Sequence, residues 1–279
     1  MSDLPKISIV TPSYNQDQFL RETIESVLNQ HYSNLEYFIV DGGSTDNSVD
    51  IIKDYEDRID WWVSEKDEGQ SDAINKGFKR ASGDLLCWVN SDDVLFPSCL
   101  KEIADCYLKQ GKPDIIHANC VFVDNKGILK RLLRMPERTV FFLNRGVWSA
   151  SAPAIFFSAS IMRKVGYLNT RYHLSMDLDL WLRVARAGGI AYHIPKYLGA
   201  FRWHGDSQTS IAGQAKKQKN DENPETKIIL NDALSRSTRK RQKEWRIIWK
   251  LYQILNLNYI HSYLETIGVK GKHWSEVFV

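Results

Sequence analysis

At 279 residues, 43% of them hydrophobic and 25% charged, the chain has room for one large domain or two small ones, and its composition excludes a disordered or fibrous protein. A formal charge of +3 is too mild to argue for nucleic acid; no window approaches the ~18 apolar residues of a membrane span, and MSDLPKISIV has no basic segment leading into a long apolar run, so a cytoplasmic location is expected. Cys87, Cys99, Cys106 and Cys120 form no CxxC pair and fall in apolar or helical stretches, which predicts buried free thiols in a reducing compartment rather than disulfides or zinc ligands.

In chain order, KISIVT (Lys6 to Thr11) reads as a strand and Asp17 as the cap of a helix through about Gln30, with Phe19, Leu20, Ile24, Val27 and Leu28 on one face. LEYFIV (Leu35 to Val40) reads as a second strand, with Asn47 or Ser48 opening the next helix. WWV (Trp61 to Val63) is a third strand, Ser71 to Ala81 a third helix, LLCWV (Leu85 to Val89) a fourth strand, and Pro97 to about Gln110 a fourth helix. This alternation predicts a Rossmann-like, mostly parallel central sheet with helices on both faces. Such sheets bind ligands beyond the carboxyl ends of their strands. Tyr14 and Asn15, DGGSTD (Asp41 to Asp46), EKDEGQSD (Glu65 to Asp72) and the pair Asp92-Asp93 should therefore meet at one edge. Each cluster alone has a plain structural reading, as a Gly-rich turn, a capped amphipathic helix or an Asx turn before Pro97. Together they bring carboxylates and close-approach glycines to the place where a charged ligand would sit. Two adjacent aspartates at the end of an apolar run are unfavourable unless solvent or a cation compensates them.

The stretches IVTPSYN, FIVDGGSTDNS, EGQSDAINKGFKRASGD leading into LLCWVNSDD, and MDLDLWLRVARAGG occur in this order between Lys6 and His204. In combination they resemble the family 2 nucleotide-sugar glycosyltransferases of GT-A fold, closest to the branch that builds bacterial O-antigen, capsule and related surface polysaccharides. The resemblance implies an α/β GT-A catalytic domain over 1–212, binding the nucleotide sugar over about 1–120 and the acceptor over about 121–212, with 213–279 as a C-terminal helical extension. It implies that Pro12, Tyr14 and Asp41 line the nucleoside pocket, Asp41 accepting from the base, and that Gln70, Asp72 and Asp92 contact the donor. Asp93 matches the direct ligand of Mg2+ or Mn2+, and Asp177 the catalytic base. Related enzymes often supply a late histidine as a further metal ligand; His204 in FRWHGDSQT holds that place, with an ordinary loop histidine as the alternative. The chain departs from the pattern at Gly42, where many relatives carry a second aspartate, and at Asp72, where many carry a basic residue. These departures bear on the nucleotide and its phosphate contacts more than on the reaction.

The chemistry is consistent with those roles. A departing nucleoside diphosphate needs its negative charge neutralised, and a divalent cation held by carboxylates does that. An acceptor hydroxyl must lose a proton as it attacks the anomeric carbon, which calls for a carboxylate on the far side. In MDLDLW the candidates are Asp177 and Asp179, at the start of a helix whose Leu180, Val184 and Ala187 can face the core; Asp177 is the better placed, and its structural alternative is a helix cap. The expected activity is inverting transfer from a nucleotide-diphosphate sugar, a UDP-sugar first, to a lipid-linked or saccharide hydroxyl. A nucleotidyltransferase fits less well, because TPSYNQDQ has no lysine or arginine for a triphosphate, and a sugar or cation binding module would not need Asp177. From Gln214 a lysine-rich stretch precedes RSTRKRQKEWRIIWKLYQIL, where Arg236, Arg239, Lys240, Arg241, Lys243 and Arg246 run into Trp245, Ile248, Trp249 and Tyr252 at helical spacing. A basic, tryptophan-rich helix of this kind fits an anionic lipid interface; it fits equally well a helix that packs its aromatics on the domain and solvates its basic face.

Overall fold

Strands β1 (Ile7–Ser13), β2 (Leu35–Asp41) and β4 (Leu85–Trp88) are near-continuous apolar runs, which a sheet covered on both faces requires. In the computed structural model, which describes residues 4–147, 153–205 and 223–278, they join β3 (Trp61–Ser64) in the all-parallel order β3-β2-β1-β4. The sheet continues through β8 (Ile155–Ser158), β6 (Ile115–Val123), β9 (Ala191–Arg202) and β5 (Val94–Leu95), and β7 (Leu129–Leu133) pairs with the far end of β6. β8, β5 and β7 run antiparallel to their neighbours, while β1 to β4, β6 and β9 share one direction. The sheet is therefore mostly parallel, as expected.

Successive residues feed two cores. Val10, Phe38, Val40 and Leu86 pack with α3 (Gln70–Arg80), α6 (Ala159–Val165) and α7 (Met176–Arg186), with Trp181 fully buried among them. Ile9, Tyr37, Ile39, Leu85 and Cys87 pack with α1 (Asp17–Leu28), α2 (Ser48–Lys53) and α4 (Cys99–Lys109) on the other face. This is the period of two that carries alternate side chains to opposite sides of a strand. The short α5 (Thr139–Leu143) joins the first core through Leu143. All four cysteines are buried free thiols.

Two local expectations change. Asp17 is the first helical residue rather than the cap: its N–H donates to Asp46 Oδ2 at 3.0 Å, and its carboxylate accepts from Asn47 Nδ2 at 3.1 Å, so the loop after β2 closes the helix end. Helix α4 starts at Cys99, two residues beyond Pro97, because Ser98 takes a left-handed φ of 65°.

Helix α3 crosses β1 at Gly77, where a Cβ would lie 2.5 and 2.7 Å from the two methyl carbons of Val10. Neither the helix nor the strand can yield without opening the first core. Gly77→Ala is expected to destabilise the protein by about 1–3 kcal/mol, the usual cost of forcing a methyl into a filled core, measured as a lower urea midpoint at unchanged slope.

The C-terminal part forms α8 (Pro224–Ala233), α9 (Arg236–Lys240), α10 (Gln242–Leu255) and α11 (Asn258–Val269). The expected boundary at 212/213, and the lysine-rich stretch up to residue 222, lie outside the described residues. Helix α11 covers β7: the Leu132 N–H donates to Thr266 Oγ1 and the Arg134 N–H to Ser262 Oγ, both at 3.0 Å, and Glu265 accepts from Arg134 and from the Tyr197 hydroxyl. An edge strand that would otherwise expose its ladder is thereby closed. Beyond it Trp274 and Phe278 both stack on Phe96, with ring centroids 5.4 and 4.4 Å away. On α10 the aromatics point inward. Trp245 meets Phe141 and Arg145, Tyr252 meets Phe142, and Trp249 meets Tyr259. No helix among the described residues is long and apolar enough to cross a membrane.

Candidate active site

Four parallel strands end at one edge, and the loop after β2 is organised by Asp41. This carboxylate is fully buried and accepts from the N–H groups of Gly43 (3.1 Å) and Ser44 (2.8 Å) and from the hydroxyls of Ser44 and Ser64. The loop is tied to the end of β1, since Asn15 N–H donates to Ser44 Oγ and Asn15 Oδ1 accepts from Thr45 N–H, both at 2.8 Å. Pro12 is buried inside β1, while Tyr14 stands 60% exposed at its end. A Cβ at Gly42 would lie 2.7 Å from Asp67 Oδ2 and 3.3 Å from the Tyr14 ring. The missing side chain at position 42 therefore lets the Asp67 carboxylate approach the loop, at the point where the chain departs from the family pattern.

The Asp92-Asp93 pair sits in a turn pinned from below by α1: Thr23 Oγ1 donates to the main-chain oxygens of Ser91 (3.0 Å) and Asp93 (2.7 Å). The two carboxylates differ. Asp93 is 1% exposed; its oxygens accept from Arg202 N–H and from Asn90 Nδ2, both at 3.0 Å. Burial, and then the charge of Asp92, hold its carboxyl well above the usual carboxylate range despite those donors. Asp92 is half-buried, and its Oδ2 lies 2.9 Å from His204 Nε2, on an imidazole that packs against the Phe19 ring.

Arg202, which sequence reasoning passed over, closes this corner. It is 2% exposed at the end of β9, and its Nε donates to the Asp92 main-chain oxygen at 2.9 Å. Its guanidinium pairs with Glu22, which also accepts from Trp274 Nε1 at 2.8 Å. The arginine's ion pair is with Glu22, while its main-chain N–H goes to Asp93, whose carboxylate its charge also favours, and its Nε–H to the Asp92 main-chain oxygen. Asp92, Asp93 and His204 offer oxygen and nitrogen atoms of the kind that a hard or borderline divalent cation takes. Among the described residues, no group of three or more His, Cys, Asp or Glu side chains is placed so that it could hold a metal ion.

Gln70, the first residue of α3, donates from Nε2 to Asn90 Oδ1 at 2.6 Å, which joins the helix to the Asn90-Asp93 chain. The next residue, Ser71, donates to the Tyr172 main-chain oxygen (3.2 Å) and to Met176 Sδ (2.9 Å), bringing the N-terminus of α3 against that of α7. Asp72 turns away from this line: it accepts from the Glu68 N–H at 3.3 Å and lies 3.5 Å from Lys76, a cation one turn along the helix.

Asp177 follows Met176. It is half-buried, its Oδ1 accepts from the Leu178 N–H at 2.7 Å, and burial raises its carboxyl from the ordinary 3.8 to about 6. Ser175 holds the N-cap position of α7 without a side-chain capping bond, and Asp177, in the first turn, takes the Leu178 N–H, so a helix-end role stands beside a catalytic one. The turn that leads into α7 is held by Glu225, from the start of α8, which accepts from the N–H groups of His173, Leu174 and Ser175 at 3.1, 2.8 and 3.0 Å. Asp179 pairs with Arg183 along the helix.

The structure thus joins Gln70, Asp92, Asp93 and His204 in one polar chain and sets the Asp177 helix beside it. Asp41 and Tyr14 lie at the neighbouring strand ends, and Pro12 lies within the sheet. A glycosyl transferase family 2 profile matches residues 8–168, more than half of the chain. An uncharacterized glycosyltransferase of Rickettsia felis is 28% identical over 199 residues, which cover 67% of this chain and 33% of that protein, so the chain spans about a third of this relative's length. The fold is similar to that of S. aureus TarS 1–349, crystallised with UDP-GlcNAc, at a TM-score of 0.60 and 18% identity over 74% of this chain and 60% of that one. It is also similar to the mannosyltransferase PcManGT of Pyrobaculum calidifontis, solved with GDP-Man and Mn2+, at a TM-score of 0.58 and 15% identity over 83% of this chain and 70% of that one. The sheet is thus that of the GT-A fold, and with the profile match the chain belongs to glycosyl transferase family 2.

Proposed function

We propose that the protein transfers a sugar from a nucleotide-diphosphate donor, a UDP-sugar first, to a hydroxyl of a lipid-linked or saccharide acceptor in the assembly of a surface polysaccharide, with inversion at the anomeric carbon. The observation that carries the reading is the side-by-side placement of the Asp92-Asp93-His204 corner and the Asp177 helix, bridged by Gln70 and Ser71. Tyr14 and the Asp41 loop would take the nucleoside, Pro12 backing the pocket from within β1, and Asp41 would act on the base from the turn it holds. Gln70 and Asp92 would meet the donor, whereas Asp72, expected from the family resemblance to do so, is directed to Glu68 and Lys76. Asp93 and His204, with Asp92 between them, would hold Mg2+ or Mn2+, which when bound neutralises charge on the departing diphosphate.

Asp177 acts on the acceptor. Its carboxylate takes the proton from the hydroxyl as the new oxygen–carbon bond forms, the anomeric carbon–oxygen bond to the diphosphate breaks, and the nucleoside diphosphate leaves with the bonding pair. A carboxyl raised to about 6 is deprotonated at neutral pH yet basic enough to receive that proton. Mass action makes the donor measurable without an acceptor, because a ligand bound only by the folded chain raises its melting temperature. In a panel of nucleotide sugars with and without Mn2+, we expect one UDP-sugar to stabilise the chain only when metal is present. Stabilisation by nucleoside triphosphates with release of pyrophosphate would replace this reading with nucleotidyl transfer.

A further inference from the structure

The tail of the chain carries a surface that the catalytic site does not use. The aromatics of α10 are turned inward, so the side facing away from the body is aliphatic: Ile247, Leu251, Ile254 and Leu255 are 59, 52, 53 and 81% exposed. On α11 the inward positions are Ser262, Glu265 and Thr266, which bond to Arg134, Tyr197 and Leu132; the opposite side presents Ile260, Leu264 and Ile267, each 50 to 59% exposed. These positions follow the three- and four-residue steps of one helical face on each helix. Soluble monomers rarely leave so many adjacent large aliphatics in water without a use for them.

The charge around this surface is one-sided. Between Arg239 and Lys272 there are eight lysines and arginines against two glutamates. Glu244 is paired with Arg241 at 2.8 Å, and Glu265 is held by Arg134 and Tyr197 on the inward side. Lys243, Arg246 and Lys250 are exposed and recur every three or four residues along the flank of the aliphatic stripe of α10, and Lys270 stands exposed just past α11.

We propose that the outward face of the α10–α11 pair docks on an anionic lipid surface, with the aliphatic side chains entering the headgroup boundary and the flanking lysines and arginines meeting lipid phosphates. An apolar face with basic flanks and no unpaired carboxylate is complementary to such a surface. A second copy of the chain is a poorer occupant, because a two-fold contact sets the same basic rows against each other. The sequence left lipid contact and packing on the domain equally open for the tryptophans of α10; Trp245 packs on Phe141 and Arg145 and Trp249 on Tyr259 of α11, which leaves the aliphatic side free. The inference stands apart from the donor and reaction proposed above, and its test reads binding alone.

Removing the tail would also remove Trp274 from the core and α11 from β7, so surface substitutions are the informative variants. The full chain is expected to co-sediment with vesicles of phosphatidylcholine and phosphatidylglycerol, less so as salt rises, and weakly with phosphatidylcholine alone. Both Leu251→Glu/Leu264→Glu and Lys243→Glu/Lys250→Glu should weaken that binding by roughly tenfold or more while leaving the thermal melt and the nucleotide-induced stabilisation unchanged. Absence of binding by the parent chain, equal binding by the variants, or a parent dimer that Leu251→Glu/Leu264→Glu turns into monomers would each overturn the proposal.

Discussion

Asp177→Asn is expected to lower turnover roughly 10²- to 10⁴-fold, the usual contribution of a general base, while donor affinity stays within experimental error of the parent. The two responses separate because Asp177 lies at the N-terminal end of α7, whereas the donor-facing candidates are at the ends of β1 and β2, in the turn after β4 and at the start of α3. The fold should tolerate the change, since Glu225 holds the turn that leads into the helix and Asn can still accept from the Leu178 N–H. Linkage gives a second signature. Because burial raises the folded carboxyl from 3.8 to about 6, the folded chain keeps a proton that the unfolded chain releases across that window. The stability associated with Asp177 is therefore full below about pH 3.8 and declines as pH rises through about 6. Above that pH the Asn variant, free of a desolvated charge, should melt no lower than the parent. The parent's kcat/KM should fall as pH drops through about 6, where the base becomes protonated. NMR of the product should show a β-linkage from an α-linked donor. A retained configuration, or an Asn variant as fast as the parent at saturating substrates, would remove Asp177 from the role of base.

The second large effect is expected at the acidic corner. Asp93→Asn should make donor binding insensitive to Mg2+ or Mn2+ and lower turnover by about 10²- to 10³-fold, comparable to losing one preorganised electrostatic stabiliser. The melting temperature with and without Mn2+, at fixed donor, reads the metal response directly. Both oxygens of Asp93 are engaged by Arg202 N–H and Asn90 Nδ2, so an amide must turn its NH2 toward one donor and lose a hydrogen bond. Asp92→Asn is the companion variant, because that carboxylate meets His204 and leaves the main-chain contact with Arg202 in place. If both variants keep metal-dependent turnover, the corner is a structural knot and not a cation site.

Much of this protein was legible from residue order alone. The four parallel strands and the helices between them follow from apolar runs of fixed period, and strand order at a parallel sheet edge is enough to predict that the loops after β1, β2, β3 and β4 would meet. The adjacent Asp92 and Asp93 and the MDLDLW segment announced themselves because their oddity is local: like charges after a buried run, carboxylates at a helix start. What supports those residues was not legible. Arg202 reaches Asp93 across 109 positions, Trp274 reaches Glu22 across 252, and Glu225 holds the turn before the Asp177 helix from 50 residues downstream. A lone Arg, Trp or Glu carries no period or spacing, so its partner is chosen only when the chain has folded. The same reason decided the tail, where the sequence determined that α10 would be amphipathic and basic. Only the packing of Trp245 on Arg145 and of Tyr252 on Phe142 decided that its aromatic side would be the buried one, because a helix with two apolar faces buries whichever finds the complementary surface.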